Sequence, residues 1–397
     1  MTTRICVVGS STRFLSGISY YTLRLANTLA DAYDVSAILM RQLLPTFAYP
    51  GRTRVGARLT DLTYRPTVRV LDGVDWFWLP SMWRAFAMML RERPHAVVLQ
   101  WWTATVVHSY LALALIARAL GARVVVEFHE VLDPGEAGLR PVRMYVGALA
   151  PLLVRLADAF VIHSEHDRAL LEKHYGIADR PIATIPHGPY DHYSVDAATE
   201  VRRSAPESTC NLLYFGVIRP YKGLEDLIRA FEQIPEDQIH RFWLTVVGET
   251  WEGWTLPSEL IARSRYYSRI TFVNRYVPDQ EVAGYFAGAD AVVLPYLRSS
   301  ASGPLHVAMS QGLPVVVTHV GGLVEAVNGY SGAILVPPSD PVRLREALFT
   351  AESLRGQHFP DPHSWERNAL KYSELFESLL RETPRLTHVV APGRLRP

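Results

Sequence analysis

Two cationic side chains lie in a turn near the middle of the chain. The turn contains Arg219 and Lys222, and it stands between the apolar run 211–215 and the helical pattern 225–231. Ligands of open α/β sheets bind at the carboxyl ends of strands, where a guanidinium and an ammonium group would suit an anion. The turn therefore predicts an anion site, and the phosphate groups of a nucleotide are the working ligand.

A second stretch predicts the start of a short helix at the same edge of the sheet. Pro304 suits the first helical position, and Gly303 or Ser302 suits the N-cap. Gly312 suits the C-terminal cap. The N-terminus of such a helix offers backbone N–H groups and a positive dipole end, and together with the two cations it could hold a pyrophosphate without a metal ion.

The first half of the chain carries two further candidates. Ser16 and Gly17 end a loop of small residues before an amphipathic helix that begins at Ile18, so they could contact an anion, although many such loops bind nothing. His129 follows the buried run 122–128 and would stand at the edge where functional residues gather. A strand-end histidine satisfied by local hydrogen bonds is the alternative.

Apolar, valine-rich segments alternate with helical patterns along both halves, which predicts an α/β protein with a parallel sheet in each half. In the first half we expect strands at 5–9, 35–40, 74–79, 96–100, 122–128, 157–164 and 182–186. In the second half we expect them at 211–215, 242–248, 270–273, 291–294, 314–318 and 333–336. Residues from about 41 to 72 are expected to be irregular.

The length of 397 residues exceeds what one core usually supports, so two domains are expected. The composition shifts to polar residues and proline between Pro189 and Thr209, which indicates a linker. The predicted division is a first domain at 1–190, a linker at 191–208, a second domain at 209–362, a final helix at 363–382 and a loose tail at 383–397.

Bulk composition limits the possible partners and the compartment. The 40 Lys and Arg against 39 Asp and Glu remove the strongest reason to expect nucleic-acid binding. Cys6 and Cys210 are the only cysteines, and buried thiols in a reducing compartment are favoured over a disulfide or a redox pair. The N-terminus lacks the apolar core of a signal peptide, and no run reaches the ~20 uninterrupted apolar residues of a membrane span. We therefore expect a cytoplasmic protein.

A cluster of aromatic residues is compatible with contact between this segment and the inner face of a membrane. Interfacial helices carry aromatic residues on one face and cations on the other, and ordinary packing of a helix on a sheet is the alternative. The residues concerned are Trp76, Trp78, Trp83 and Phe86, with Arg84 and Arg91 as the cations.

Four runs of the second half together resemble glycosyltransferase family 4, retaining enzymes of the GT-B fold. They are FGVIRPYKGLEDLI, VVGE, VPDQEVAGYFAGADAVVLPY and SGPLHVAMSQGLPVVVTHVGGLVEAV, and the first half adds the weaker matches ISYYTLRLANTLA and IPHGPYD. The resemblance covers almost the whole chain. It implies two Rossmann-like domains that face a central cleft, a UDP- or GDP-linked sugar in the second, an acceptor largely on the first, and a last helix that crosses back.

The resemblance also implies roles for individual residues. Lys222 matches the lysine on the donor diphosphate, and Arg219 stands two residues beyond the family arginine, whose place Val217 takes. His129 matches the histidine that approaches the donor sugar, so the catalytic set is His129, Arg219 and Lys222. The implied donor-binding residues are Ser16, Gly17, Gly216, Ser299, Ser302, Gly303, Pro304, Leu305 and Glu325, with no metal ligands and no cofactor beyond the donor itself.

The chain departs from the family at its usual pair of glutamates, because alignment puts Ser299 at the first position and Val307 at the second. The hydroxyls of Ser299, Ser300 and Ser302 could hold the sugar instead. His306 could replace the second glutamate or could be a packing residue. Glu325 could reach the cleft from the next loop or could only complement a helix N-terminus.

The function implied is retaining transfer of a hexosyl group to the hydroxyl of a glycan, a lipid-linked or a small-molecule acceptor, as in the biosynthesis of glycans, glycolipids or natural products. In such transfer the acceptor attacks from the front face, and the departing phosphate oxygen takes its proton. The alternatives are a nucleotide-sugar-binding protein without transfer activity and a sugar-nucleotide epimerase. The epimerase lacks support because no acid/base carboxylate pair recommends it.

Overall fold

The computed structural model describes residues 2–12, 18–42, 62–75, 80–103, 106–131, 140–177, 179–193, 200–250, 254–299 and 301–381. They form two halves, each built on a parallel sheet with helices packed against it. Strands β4 and β5 of the first sheet are buried at all six positions, as expected of parallel strands covered on both faces.

The first half has a seven-stranded sheet in the order β3-β2-β1-β4-β5-β6-β7. The strand order reverses between β1 and β4, which opens a crevice at their carboxyl ends. Its elements are β1 (Arg4–Ser10), α1 (Ile18–Leu29), β2 (Asp34–Gln42), β3 (Arg69–Asp75), α2 (Ser81–Glu92), β4 (Ala96–Trp101), α3 (Val107–Ala119), β5 (Arg123–Phe128), α4 (Arg140–Leu156), β6 (Ala159–Ile162), α5 (Glu165–Tyr175) and β7 (Ile182–Thr184).

The second half has a six-stranded sheet in the order β10-β9-β8-β11-β12-β13, with its reversal between β8 and β11. The turn that contains Arg219 and Lys222, the cationic turn, follows β8, and the predicted short helix follows β11. Its elements are β8 (Cys210–Phe215), α6 (Leu224–Glu232), β9 (Phe242–Val247), α7 (Leu256–Arg263), β10 (Ile270–Val273), α8 (Asp279–Ala287), β11 (Ala291–Leu294), α9 (Gly303–Ser310), β12 (Val315–Thr318), α10 (Leu323–Ala326), β13 (Ala333–Val336) and α11 (Pro341–Ser353).

The last helix among the described residues, α12 (Trp365–Arg381), packs on the first half. Its Trp365 indole N–H donates a hydrogen bond of 3.0 Å to the Pro189 carbonyl, and the Asn368 amide donates one of 2.8 Å to the Pro186 carbonyl. A Cβ atom at Gly188 would lie 2.3 Å from Cε2 of Trp365, so the indole packs directly on this glycine. The helix thus returns across the boundary between the halves.

Two elements differ from the expectations. Strand β3 spans Arg69–Asp75, whereas we predicted an irregular segment up to 72 and a strand at 74–79, of which 76–79 lie outside the described residues. Its residues are mostly half-buried or exposed at the edge of the sheet, so they form no apolar run. Helix α4, like α7 and α11, was not assigned from the sequence, and Pro151 lies within it.

Both cysteines are free and buried, which confirms the expectation of buried thiols. Burial raises the pKa of each thiol, Cys6 and Cys210, to about 12, so neither forms a thiolate near neutral pH. Within the part of the chain that the structure describes, no helix has the length and apolar content needed to cross a membrane.

Candidate active site

A glycine fixes the turn that follows β8. Gly223 has a φ of +65°, and a Cβ atom there would lie 1.9 Å from the carbonyl oxygen of Pro295. Beside it, the Leu297 amide donates a hydrogen bond of 2.7 Å to the Tyr221 carbonyl. The turn therefore packs directly against the loop after β11, and a larger residue at 223 would push the two apart.

Replacing Gly223 by alanine should lower the free energy of unfolding by about 1–3 kcal/mol more than the same change at Gly121. Gly121 is a matched control because its φ is +78° and a Cβ atom there would meet nothing within 4 Å. Both variants carry the cost of a left-handed alanine, about 1–2 kcal/mol, and only Gly223→Ala adds the overlap. Urea denaturation measures both changes, and equal losses would show that the turn yields without strain.

Three of the predicted site residues close around one point. Gly216 has a φ of +118°, and a Cβ atom there would lie 3.3 Å from the Lys222 Nζ and 3.4 Å from Cγ of Pro304. The Lys222 ammonium also lies 5.2 Å from the centre of the Tyr296 ring, within the range of a cation–π contact. The structure thus brings the cationic turn and the start of α9 together.

The electrostatics of Lys222 are those of a cation held among protein atoms. Burial lowers the pKa of its ammonium to about 8, Tyr221 opposes this shift, and the positive charge of Arg219 adds to it. Among the described residues, no carboxylate forms an ion pair with Lys222. An anionic ligand would compensate the charge of Lys222, which is the chemistry that the turn predicted.

At the start of α9, more polar groups already bond other protein atoms than the sequence indicated. The Ser302 hydroxyl is buried, accepts a hydrogen bond of 3.4 Å from the Leu305 amide and donates one of 3.3 Å to the Tyr296 hydroxyl. Pro304 has no N–H group. Of the first three helical residues, only Gly303 can therefore offer a backbone amide to a ligand.

The predicted substitutes for the family glutamates make contacts of their own. The Ser299 hydroxyl donates a hydrogen bond of 2.8 Å to the Ala301 carbonyl. The Glu325 carboxylate accepts from the amides of Glu165, at 2.5 Å, and His166, at 2.9 Å. These amides begin α5 in the first half, so Glu325 complements a helix N-terminus across the boundary between the halves, the second of its two expected roles.

His129 lies at the end of β5, and a second histidine sets its tautomer. The Nδ1 of His163 is 2.8 Å from the Ile185 carbonyl and must donate to it, so the Nε2 of His163 carries a lone pair. That Nε2 is 3.0 Å from the Nδ1 of His129, which therefore donates. Burial and the neighbouring His163 keep the pKa of His129 well below its usual range, so its Nε2 is a bare acceptor at neutral pH.

Glu127 lies buried beside these histidines. Its Oε1 accepts a hydrogen bond of 2.5 Å from the Tyr372 hydroxyl, and its Oε2 accepts one of 3.1 Å from the Gln100 amide. Burial raises the pKa of this carboxyl to about 7, against the effect of the hydrogen bonds that it accepts. Helix α12 therefore supplies a partner to a fully buried carboxyl group of the first half.

The sequence reasoning singled out His129 but missed His163 and His187. His163 follows β6 and His187 stands three residues beyond β7, just as His129 follows β5. Since β5, β6 and β7 are neighbours in one parallel sheet, their carboxyl ends meet at one edge. Applying the strand-end rule to all three strands would have found the cluster.

A cavity of about 200 Å³ lies between the two halves, beside these histidines. His163 and His187 line it from the first half, and His306 and Glu325 line it from the second. His306 is buried, and its Nδ1 has no hydrogen-bond partner among the described residues. The predicted residues Ser16, Gly17 and Ser300 lie outside the described residues.

Two family models match the chain, one on each half. The model described as "Glycosyl transferase 4-like domain" matches residues 16–188, and the one described as "Glycosyl transferases group 1" matches residues 209–351. Together they span most of the chain and leave out the segment that we predicted to be the linker.

Several relatives of the chain carry glycosyltransferase names. The chain is 29% identical over 255 residues to D-inositol 3-phosphate glycosyltransferase 1 of Catenulispora acidiphila, a match that covers 59% of each protein. It is 24% identical over 346 residues to 2-deoxystreptamine glucosyltransferase of Streptomyces kanamyceticus, covering 82% of this chain and 87% of that protein. The matched region thus spans little more than half the length of the first of these relatives.

Solved structures show the same fold. Sucrose-phosphate synthase from Thermosynechococcus elongatus superposes with a TM-score of 0.66 at 19% identity, covering 95% of this chain and 99% of the other. Anabaena HepE in complex with UDP superposes with a TM-score of 0.62 at 16% identity, covering 95% and 100%. The two parallel sheets therefore form the expected GT-B fold, and the chain belongs to the glycosyltransferase family that the two models describe.

Proposed function

We propose that the protein is a retaining glycosyltransferase that moves a sugar from a nucleotide-diphosphate donor to an acceptor hydroxyl. One observation carries the proposal. The Lys222 ammonium stands beside Gly216 and Pro304, where the positive charge of Arg219 also acts on it. Lys222 itself forms no ion pair with a carboxylate in the described structure. Two cations and the N-terminus of α9 are suited to a diphosphate, so the donor phosphates bind there without a metal ion.

The proposed reaction depends on electrostatic stabilisation more than on a protein base. As the bond from the sugar to the phosphate breaks, negative charge grows on the leaving diphosphate, which Lys222 and Arg219 stabilise. The departing phosphate oxygen takes the proton of the acceptor hydroxyl, which attacks from the same face. The bare Nε2 of His129 accepts a hydrogen bond from a hydroxyl of the donor sugar.

The donor is a UDP- or GDP-linked sugar, and the acceptor is a glycan, a lipid-linked or a small molecule bound largely by the first half. Anabaena HepE has been solved with UDP and with UDP-glucose, which favours UDP. Thermal-shift screening against UDP-, GDP- and dTDP-sugars tests the donor. A true ligand at 100 times its dissociation constant should stabilise the protein by about 2.7 kcal/mol, and no shift with any of them would contradict the proposal.

Donor binding should weaken as the pH rises above about 8. The ammonium of Lys222 loses its proton through a pKa of about 8, so the charged form that attracts the diphosphate dominates below this pH. Titration calorimetry with UDP and with GDP should show about tenfold weaker binding at pH 9 than at pH 7 for the nucleotide that binds. Lys222→Arg stays charged throughout this range and should remove most of the dependence. Equal pH profiles for the two proteins would exclude Lys222 as its origin.

Two other functions are separated from transfer by simple assays. A nucleotide-sugar-binding protein without activity would bind a donor tightly and release no nucleotide with any acceptor or with water. An epimerase would isomerise the donor sugar without an acceptor. Release of UDP or GDP that depends on an added acceptor supports transfer over both.

The protein resides in the cytoplasm and touches the inner face of the membrane through α2. On this helix Trp83 and Leu90 are more than half exposed and lie seven residues apart, and the exposed Arg84 and Arg91 have the same spacing. An apolar edge beside two cations suits an anionic lipid surface. The wild-type protein should float together with vesicles that contain anionic lipid, and Trp83→Ser should float with them much less. Equal flotation of the two proteins would exclude this contact.

A further inference from the structure

Three buried histidines meet at the carboxyl edge of the first sheet. His129, His163 and His187 each offer one ring nitrogen, and these three atoms lie within 4.8 Å of one another. Each histidine follows a different strand, so the rigid sheet holds their backbones at fixed separations. Sites built on such elements are better positioned than sites built on loops.

Several of these buried nitrogens have no hydrogen-bond partner among the described residues. They are the Nε2 of His129 and both ring nitrogens of His187. Buried polar atoms in folded proteins are nearly always paired, and each exception calls for a ligand, a water or an ion. Three unpaired nitrogens in one cluster indicate that something other than protein completes it.

We propose that His129, His163 and His187 bind one divalent transition-metal ion of the Zn²⁺ class. Neutral imidazole is the side chain that zinc, copper, nickel and cobalt ions share as a ligand. Three protein ligands leave a fourth coordination position open, as in sites where a metal ion meets water or substrate. The Glu127 carboxyl lies 3.8 Å from the Nε2 of His163, close enough to offset part of the charge of the ion without being a ligand.

The surrounding groups match those that orient metal-binding histidines elsewhere. The Nδ1 of His163 already donates to the Ile185 carbonyl, which points its Nε2 into the cluster. Binding of the ion through the Nδ1 of His129 would move the ring proton to Nε2, which lies 3.9 Å from the Glu127 Oε1, so a small rotation of the ring would let the carboxylate accept that proton. The Nε2 of His163 and the Nδ1 of His129 lie 3.0 Å apart, near the separation of about 3.4 Å between two nitrogens on one tetrahedral zinc ion.

The open coordination position faces the cavity between the halves. His163 and His187 line that cavity, and the His306 ring lies 5.6 Å from the His187 ring, centre to centre. The unpartnered Nδ1 of His306 belongs to the same cavity wall, so a water molecule or ligand on the open position would meet a polar atom of the second half.

Cobalt substitution tests the site without any sugar nucleotide. The full-length protein, stripped with a chelator and titrated with Co²⁺, should bind one equivalent and show the visible absorption of tetrahedral Co²⁺. His187→Gln and His163→Gln should each weaken binding at least tenfold, whereas His240→Gln, at an exposed position, should leave it unchanged. Absence of the tetrahedral spectrum, or equal binding by all four proteins, would overturn the proposal.

A second measurement guards against variants that fail to fold. Zn²⁺ should raise the melting temperature of the stripped wild type and of His240→Gln, and it should not raise that of His187→Gln. Circular dichroism before metal addition verifies that each variant is folded. A stabilisation by Zn²⁺ that persists in folded His187→Gln would place the ion elsewhere. Neither readout needs transfer activity, so a failed donor screen and a failed metal titration are distinguishable.

Discussion

Replacing Lys222 by alanine should slow sugar transfer at least tenfold, which corresponds to about 1.4 kcal/mol of transition-state stabilisation. The ammonium stands beside Gly216 and Pro304, where the leaving diphosphate is expected to gather charge. With alanine at this position, only Arg219 and the N-terminus of α9 remain to compensate that charge. Initial rates with saturating donor and acceptor, together with the dissociation constant of UDP or GDP, measure the effect.

The Lys222 variant needs a control for the loss of a positive charge as such. Lys173→Ala removes an exposed lysine from α5 and should leave both the rate and nucleotide binding unchanged. The variant protein should keep its fold, since Lys222 forms no ion pair with a carboxylate in the described structure. Unchanged turnover by Lys222→Ala would remove this residue from the site and with it the main support for the proposed function.

Replacing Trp365 by alanine should destabilise the protein by about 3–5 kcal/mol. The indole is buried, packs on Gly188, donates to the Pro189 carbonyl and lies 5.1 Å from the Tyr21 ring, centre to centre. The variant would leave a cavity where α12 meets the first half and would remove one of the two hydrogen bonds that the Pro189 carbonyl accepts, the other coming from the Tyr20 hydroxyl. Urea denaturation followed by circular dichroism gives the change in free energy.

Leu370→Ala is the matched control for this variant, because Leu370 lies on the same helix with 65% of its surface exposed. Its cost should stay within about 0.5 kcal/mol, as for ordinary surface positions. If the free energy of unfolding falls by similarly small amounts in both variants, the contact of Trp365 with the first half contributes little to stability. That result would contradict the prediction.

The sheets were predictable because their strands are nearly all apolar and alternate with helices. Strands such as β4 and β11 have no exposed residue, and hydrophobic runs identify them directly. Strand β3 was misplaced because an edge strand with half-exposed residues carries no such run. Periodicity reports burial, and it predicts an element only where burial and secondary structure coincide.

The candidate site was partly predictable for a similar reason. Lys222 and Pro304 follow strands of one sheet, and the strand-end rule brings them together without any knowledge of side-chain contacts. The bond of Glu127 to Tyr372 joins residues 245 positions apart, and no local pattern predicts it. The contact of Glu325 with α5 depends likewise on how the two halves face each other.

Because α12 follows the second half in the chain, it cannot pack on the first half while the ribosome is still making the second. Until Tyr372 emerges, Glu127 lacks the hydrogen bond from its hydroxyl, and the side of α1 that packs on α12 is uncovered. A nascent chain halted before residue 365 therefore presents an apolar patch of the kind that chaperones bind. Synthesis of α12 is thus the step that covers this side of the first half.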